Sequence, residues 1–221
     1  KWGVSEQGLK IPFVVRWPGV VKPGTTSQTM LSLVDVLPTF LDIAGSEIDT
    51  TIDGKSFYKT LQGDESNVND YIFSLATKQN IQACKVFPTR AVRGKRYKFI
   101  RNYNALEVHE SNFGENSVIN SFIKIGAESF PMVPYEELYD LENDPYQKIN
   151  LIKNSKFDAV KSQLSEVLYT WMVSQDDFLI SNHMPLIKPT LHPLDRNSKW
   201  NKVSEENLKG LKSNDYMKSH Y

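Results

Sequence analysis

The sequence predicts an α+β protein in which a small four-stranded antiparallel sheet is covered by one C-terminal helix. Strand-like segments follow one another between residues 71 and 141, and a single helical stripe runs over residues 156–174. Consecutive strands joined by short turns usually pair with each other, and a helix with one apolar stripe needs a surface to cover. An apolar run and a shorter helix precede the sheet, within residues 1–66.

The first 66 residues are predicted to form a unit of their own. Residues 11–17 (IPFVVRW) are an apolar run ended by Pro18 and Gly19, which is typical of a buried strand followed by a turn. Asp35 is expected to cap the N-terminus of a helix that ends at Gly45. The expected buried face of this helix consists of Val36, Phe40, Leu41 and Ala44.

Four strands are predicted at residues 71–76, 89–93, 96–103 and 137–141. The second and third are joined by Gly94 and Lys95, with glycine first, as a type II′ hairpin prefers. Alternation along the third strand places one set of side chains on each face of the sheet. Arg96, Lys98 and Ile100 are expected on one face, and Tyr97, Phe99 and Arg101 on the other.

The helix over residues 156–174 is expected to begin at Asn154 or Ser155 as its cap. Its apolar residues recur at helical spacing and predict one buried face: Phe157, Val160, Leu164, Val167, Leu168 and Trp171. The predicted division of the chain is therefore residues 1–66, residues 67–176 with the sheet and helix, and a wrapping or partly disordered tail over residues 177–221.

Composition excludes several functions. Lys and Arg together number 26, as do Asp and Glu, so the chain lacks the net positive charge typical of nucleic-acid-binding proteins. The single cysteine allows no intrachain disulfide and no cysteine-based zinc site, and the four histidines lie outside metal-ligand spacing. No apolar run is long enough for a transmembrane helix.

Three stretches, in order, resemble formylglycine-dependent sulfatases of the alkaline-phosphatase-like type. The first is KWGVSEQGLKIPFVVRWPG at residues 1–19, with Lys10 where the family usually has arginine. The second is residues 32–45, with the pattern Leu-x-Asp-x-x-Pro-Thr before a glycine. The third combines residues 88–103 with the ELYDLENDP segment of residues 137–145 and the Asn-Leu that follows. The pattern is most similar to heparan N-sulfatases (sulfamidases) and bacterial glycosaminoglycan sulfatases.

This resemblance implies that the chain is the edge of an alkaline-phosphatase-like α/β domain followed by the C-terminal subdomain of a sulfatase. Such an enzyme hydrolyses sulfate esters or sulfamates on a sugar with a formylglycine nucleophile and a calcium ion. The family's nucleophile motif and calcium ligands do not occur here, so no metal ligand and no activity are expected in this chain alone. The abrupt start at Lys1 suggests a truncated piece whose partner is the catalytic N-terminal portion.

The resemblance also implies site residues. Lys1 occupies the position of the family's sulfate-binding cation, where a fixed ammonium would stabilise charge on the departing oxygen. Two candidate contacts to a sulfated carbohydrate are Arg90 and Arg101, since guanidinium forks match sulfate as they match phosphate. Asn102 and His109, in or beside the long insertion, are the other two candidates. For the basic hairpin that carries the arginines, a solvated face is the alternative interpretation.

Two functions remain open at this point: a fragment of a sulfatase, or a non-catalytic glycan-binding or interaction module. For the parent enzyme, the absence of an Asn-x-Ser/Thr sequon favours a bacterial periplasmic or extracellular location over a lysosomal one.

Overall fold

The computed structural model describes residues 3–80, 85–103 and 134–180. Three short 3₁₀ turns, Leu33–Asp35, Ser155–Phe157 and Phe178–Ile180, accompany the longer elements. In chain order, those elements are α1 (Glu6–Leu9), α2 (Val36–Ile43), α3 (Tyr58–Leu61), β1 (Ile72–Asn80), β2 (Lys85–Arg93), β3 (Tyr97–Asn102), β4 (Glu136–Asp140) and α4 (Asp158–Ser174).

The four strands form one antiparallel sheet in the order β1-β2-β3-β4. The predicted sheet and its four strands are confirmed, with β1 and β2 longer than the sequence pattern indicates. Phe99 of β3 pairs with Val92 of β2 and Leu138 of β4, and all three are fully buried. The predicted alternation along β3 is also confirmed, because Phe99 packs toward α4 while Ile100 packs on the opposite face.

The hairpin turn between β2 and β3 differs from the prediction by one residue. The Gly94 N–H donates to the Tyr97 carbonyl, so the two-residue loop is Lys95 and Arg96. Neither loop residue has a positive φ, which a type I′ or II′ turn would require. Gly94 follows the last bridged pair, Arg93 with Lys98, and a Cβ at this position would lie 3.5 Å from the Tyr71 ring.

Helix α4 covers one face of the sheet as predicted. Leu164, Leu168 and Met172 are buried in a common core with Val92, Phe99 and Leu138. Trp171 stacks on Phe73 of β1 with the ring centroids 4.7 Å apart. The Asn154 side chain accepts a hydrogen bond from the Lys156 N–H, which confirms one of the two predicted caps.

The buried face predicted for α2 is wrong for two of its four residues, since Val36 and Leu41 are half-buried but Phe40 and Ala44 are not. Phe40 is 64% exposed and Ala44 is exposed, whereas Pro38 and Thr39 are buried. Thr39 Oγ1 accepts from the Phe57 N–H, so the inward face of α2 packs on the loop before α3. The predicted end at Gly45 is confirmed, since its φ is +68° and the Ser46 N–H donates to the Leu41 carbonyl.

Asp35 has a different role from the helix cap that the sequence predicts. It lies within the 3₁₀ turn before α2, is 1% exposed and makes no capping bond to α2. Its carboxylate accepts from the N–H groups of Ser32 (2.7 Å) and Lys55 (2.9 Å) and from Asn69 Nδ2 (2.8 Å). One buried carboxylate therefore ties together three loops.

Residues 11–17 form no strand, and the predicted burial of this run is wrong. Ile11, Phe13 and Val14 are 55%, 50% and 88% exposed. Phe13 meets the Phe57 ring edge-on at 5.7 Å, but no strand among the described residues pairs with this segment. An apolar pattern indicates that a segment tends to be buried. Among the described residues, however, no sheet or helix layer covers residues 11–17.

The described residues include no helix long and apolar enough to cross a membrane.

Candidate functional site

A cleft of about 230 Å³ lies between the N-terminal segment and the face of the sheet opposite α4. Residues 3–7 form one wall, the sheet forms the floor, and the turn after β4 contributes the other wall. The lining residues are Gly3, Val4, Ser5, Gln7, Ala76, Thr89, Ile100, Asn102, Glu137, Tyr139, Tyr146 and Gln147.

The floor of the cleft carries a line of four hydrogen-bonded side chains. Thr89 Oγ1 donates to Asn102 Oδ1 (3.1 Å), and Asn102 Nδ2 donates to Glu137 Oε1 (2.6 Å). The Tyr139 hydroxyl donates to Glu137 Oε2. Burial and the neighbouring Glu137 carboxylate raise the pKa of Tyr139, so its hydroxyl keeps its proton and remains a donor.

The wall at residues 3–7 is held to the sheet by apolar contact and by buried charge. Val4 packs with Ala91, Ile100 and Tyr139 in a second small core. Glu6, which is 8% exposed, accepts from Lys98 Nζ at 2.8 Å and from Arg93 Nε at 3.1 Å. Because Lys98 is only 1% exposed, this ion pair has little access to water.

The titration of Glu6 and Lys98 reflects this burial. Burial alone would raise the pKa of Glu6, but the hydrogen bonds and charges of Lys98 and Arg93 outweigh it and lower that pKa. Burial lowers the pKa of Lys98, against the opposing effect of the Glu6 carboxylate. Glu6 is therefore held ionised, and the pair ties α1 to the sheet.

The turn after β4 fixes the same wall from the other side. Gln147 Oε1 accepts from the Glu6 N–H at 2.6 Å, and the Tyr146 carbonyl accepts from Gln7 Nε2 at 2.8 Å. Gln147 has a φ of +53°, a conformation that non-glycine residues seldom adopt. Tyr146 is 67% exposed and lines the cleft, and Lys148 Nζ lies 5.7 Å from the centre of its ring.

The structure separates the residues that the sequence analysis groups as carbohydrate contacts. Asn102 lies in the cleft, whereas Arg90 and Arg101 lie on the face covered by α4. Arg90 is 3% exposed and pairs with Asp177 through two bonds of 2.5 and 3.1 Å. Lys1 and His109 lie outside the described residues.

Arg101 is bound within the sheet–helix layer. Its Nη2 donates to Glu136 Oε1 and to Ser165 Oγ, both at 2.9 Å, and its guanidinium lies over the rings of Phe99 and Tyr135. Its Nε is buried without a hydrogen-bond partner among the described residues.

Three of the other four cations of the hairpin, Arg93, Arg96 and Lys98, also pair with carboxylates. Arg93 and Lys98 pair with Glu6, and Arg96 pairs with Asp140 at 2.7 Å. Arg96 holds the pKa of Asp140 down at about 2. The hairpin is therefore basic in sequence but largely neutralised in the fold.

Among the cleft residues that sequence reasoning missed are Glu137, Tyr139 and Gln147. For the first two, a signal was present, because strand alternation in ELYDL puts Glu137 and Tyr139 on one face. Gln147 is brought to the cleft by the geometry of the turn, and its spacing gives no such signal.

No group of three or more His, Cys, Asp or Glu side chains within the described ranges is arranged to hold a metal ion. These residues therefore do not fit a calcium site.

Residues 1–113 match the family model described as N-sulphoglucosamine sulphohydrolase, C-terminal. The chain belongs to this sulfatase family. It is 41% identical to an ulvan-active sulfatase of Formosa agariphila over 222 residues, which is 98% of the chain but 45% of that sulfatase. It is 27% identical to an N-acetylgalactosamine-6-O-sulfatase of Bacteroides thetaiotaomicron over 170 residues, covering 76% of the chain and 28% of that enzyme.

A solved structure supports the same fold. It is described as a complex with its substrate D-glucosamine-2-N,6-O-disulfate. Its sequence is 21% identical to this chain, and the TM-score is 0.53. The match covers 73% of this chain and 28% of the chain in that structure. The sulfatase fold class predicted from the sequence motifs is thereby confirmed. This chain spans less than half the length of the relatives it matches.

Proposed function

We propose that this chain is the C-terminal part of a sulfatase that hydrolyses sulfate esters or sulfamates on a sugar, within a sulfated polysaccharide such as a glycosaminoglycan. The observation that carries the proposal is the 41% identity to an ulvan-active sulfatase, maintained over 98% of the chain. Ulvan activity belongs to that relative, but both it and the Bacteroides enzyme have names that point to sulfated carbohydrates.

An exposed apolar surface supports the interpretation as a fragment of an enzyme. It consists of residues from the extended run and from the region of α2: Ile11, Phe13, Val14, Leu33, Val34, Leu37 and Phe40, each at least 50% exposed. Soluble proteins seldom leave large apolar patches uncovered. The occupant we propose is the catalytic N-terminal portion of the same sulfatase, which favours an enzyme fragment over a self-standing glycan-binding module.

The remaining parts of the proposal come from the family resemblance. A formylglycine nucleophile and a calcium ion would be supplied by the N-terminal portion, and the calcium would neutralise the sulfate oxygens when bound. Lys1 would contribute an ammonium group to the sulfate pocket, and Arg101 and His109 remain candidates for contact with the saccharide. The parent enzyme would be periplasmic or extracellular in a bacterium.

Among the proposed saccharide contacts, the geometry favours Asn102. It lines a cleft whose wall begins two residues after Lys1, whereas Arg90 is enclosed between the sheet and Asp177. Arg90 is therefore better explained as a structural cation.

Hydrolysis of a small aryl sulfate tests the proposed function. We expect turnover by the full-length protein, its loss on removal of calcium with a chelator, and no turnover by the 221-residue chain alone, because the nucleophile motif is absent from it. Arylsulfate hydrolysis can be followed by absorbance of the released phenol. Chelator-sensitive turnover by the isolated chain would contradict the proposal, as would a folded full-length protein that releases no sulfate from any sulfated compound.

A further inference from the structure

Residues 11–16 follow the path of a strand but have no neighbouring strand. The chain runs from Lys10 to Trp17 without a turn or a bend, and Lys10 itself is extended, with φ −73° and ψ 112°. The run ends where the Trp17 carbonyl accepts from the Val21 N–H at 2.9 Å. No backbone N–H or C=O group of residues 11–16 is hydrogen-bonded within the described part of the chain. Both edges of this segment are therefore open to pairing.

The two faces of the segment differ in how far they are covered. Phe13 meets the Phe57 ring at 5.7 Å, and Trp17 stacks on Tyr58 at 5.9 Å. These two residues lie on the same face, because side chains alternate along an extended chain. On the opposite face Val14 is 88% exposed. One face thus rests on the residues that begin α3, and the other carries an uncovered apolar side chain.

Any layer that covers this segment has to satisfy its peptide groups as well as its side chains. Apolar side chains favour burial, but burial removes water from the N–H and C=O groups, which then need other partners. A sheet meets both requirements, because its neighbouring strands bond to the peptide groups while its faces enclose the side chains. A layer of helices would leave the peptide groups of residues 11–16 unsatisfied.

The apolar character of both faces indicates an interior strand, with a neighbour on each side. Strands buried on both faces have nearly continuous apolar runs, as residues 11–15 (IPFVV) do. Successive residues of a strand direct their peptide groups to opposite edges, so two neighbouring strands are needed to pair all of them. Pro12, which has no N–H, lies at the start of the run, where a proline is tolerated in a strand.

The occupant is argued from the length of the relatives and from the two open edges. The match that covers 98% of this chain covers only 45% of the ulvan-active sulfatase, so that relative has more than half of its length outside the match. A second copy that paired through the same segment would occupy one edge of each copy and leave the other edge open. A portion of the parent protein can supply strands on both edges.

We propose that residues 11–16 are an interior strand of a β-sheet whose other strands belong to the N-terminal portion of the parent protein, with a neighbour on each edge. This inference rests on the proposed function, which requires a cover over the exposed apolar surface. It adds that the cover is a sheet joined to this chain by backbone hydrogen bonds.

Amide hydrogen exchange of the full-length protein, resolved to single residues, tests the proposal. We expect the N–H groups of residues 13–16 to exchange at least about a hundredfold more slowly than those of residues 25–28, because a paired amide exchanges only when its strand opens. Residues 25–28 (TTSQ) are the control within the same molecule. They are exposed and polar, and their N–H groups make no hydrogen bond in the described ranges either.

Three results would overturn the proposal. Equal exchange in the two segments would show that residues 13–16 are unpaired. Slow exchange at alternate residues alone would show a strand with one neighbour instead of two. Slow exchange that depends on protein concentration, together with a dimer in light scattering, would assign the pairing to a second copy.

Val14→Lys in the full-length protein is a second measurement, with Ile149→Lys as its matched control. Both residues are apolar and exposed in the described chain, at 88% and 64%, but only Val14 belongs to the proposed strand. Val14→Lys should lower the Tm by at least about 5 °C, because the sheet would bury an unpaired charge, and Ile149→Lys should change it little. Equal Tm values for the two variants would overturn the proposal. If Val14→Lys does not fold, the exchange of the wild-type protein decides.

Sulfate release by the same preparation separates this proposal from the proposed function. Sulfate release together with fast exchange at residues 13–16 would overturn the strand and leave the function standing. Slow exchange at these residues in a folded protein that frees no sulfate would contradict the function and support the strand.

Discussion

Replacing Arg90 by methionine should lower the free energy of unfolding by about 3–5 kcal/mol, because Asp177 would remain as an unpaired buried carboxylate. The side chains of Arg90 and Asp177 are 3% and 6% exposed, so water cannot take over the role of the guanidinium. Urea denaturation followed by tryptophan fluorescence measures the loss, and Trp171, stacked on Phe73, reports from the neighbouring core.

Two further variants separate this effect from a general loss of positive charge. Arg96→Met removes a cation that is 46% exposed in its pair with Asp140, and should lower the free energy of unfolding much less than Arg90→Met, because solvent screens the exposed pair. Arg90→Met combined with Asp177→Asn should recover part of the stability, since the amide removes the unpaired buried charge and its oxygen can still accept from the Leu179 N–H. A loss below about 1 kcal/mol for Arg90→Met would contradict the structural role of this pair.

Glu6→Gln should lower the free energy of unfolding by a similar amount, about 3 kcal/mol, because it leaves Lys98 and Arg93 without their shared anion. Lys98 is 1% exposed and has no water to compensate for the missing carboxylate. The glutamine can retain one hydrogen bond, which places the expected loss near the lower end of the range for broken buried pairs.

The pH dependence of stability checks the same pair. The folded pKa of Glu6 lies below its unfolded value, so its contribution is fully present above the unfolded pKa and is lost as pH falls through the folded pKa. The wild-type protein should therefore lose stability below about pH 4.3, the ordinary pKa of a glutamate, more steeply than Glu6→Gln. Other carboxylates titrate equally in both proteins. Parallel curves of unfolding free energy against pH would therefore contradict the role of Glu6 in this ion pair.

The sheet and α4 could be predicted from the sequence because their patterns report local geometry. Alternation along β3 distinguishes the Phe99 face from the Ile100 face, and helical spacing identifies Leu164 and Leu168 as core. The hairpin loop lies one residue later than predicted, because a glycine can lie at the end of a strand as well as in the loop. Local patterns determine the element but not its last residue.

Burial in the first 66 residues could not be predicted in the same way. The run over residues 11–17 and the Phe40 side of α2 are apolar, yet both are exposed in the described chain. Apolar periodicity shows which surface tends to be buried. It does not show which part of the protein buries that surface. We propose that the N-terminal portion of the parent sulfatase covers these exposed surfaces.

The candidate site shows why the partners of charged side chains could not be predicted from the sequence. Arg90 and Arg101 are prominent in the sequence, but their carboxylates, Asp177 and Glu136, lie 87 and 35 residues away along the chain. Only the fold reveals these pairs. Asn102 was predicted as a saccharide contact because it belongs to the family-like segment that precedes the insertion with His109, and this role stays a prediction.

Sulfate release from defined saccharides tests the central claim most directly. The full-length protein is incubated with sulfated and matched unsulfated oligosaccharides, and free sulfate is measured by ion chromatography with and without chelator. We expect chelator-sensitive release of sulfate from at least one sulfated saccharide by the full-length protein, and none by residues 1–221 alone. Release by the isolated chain, or saccharide binding by a folded full-length protein that frees no sulfate, would contradict it.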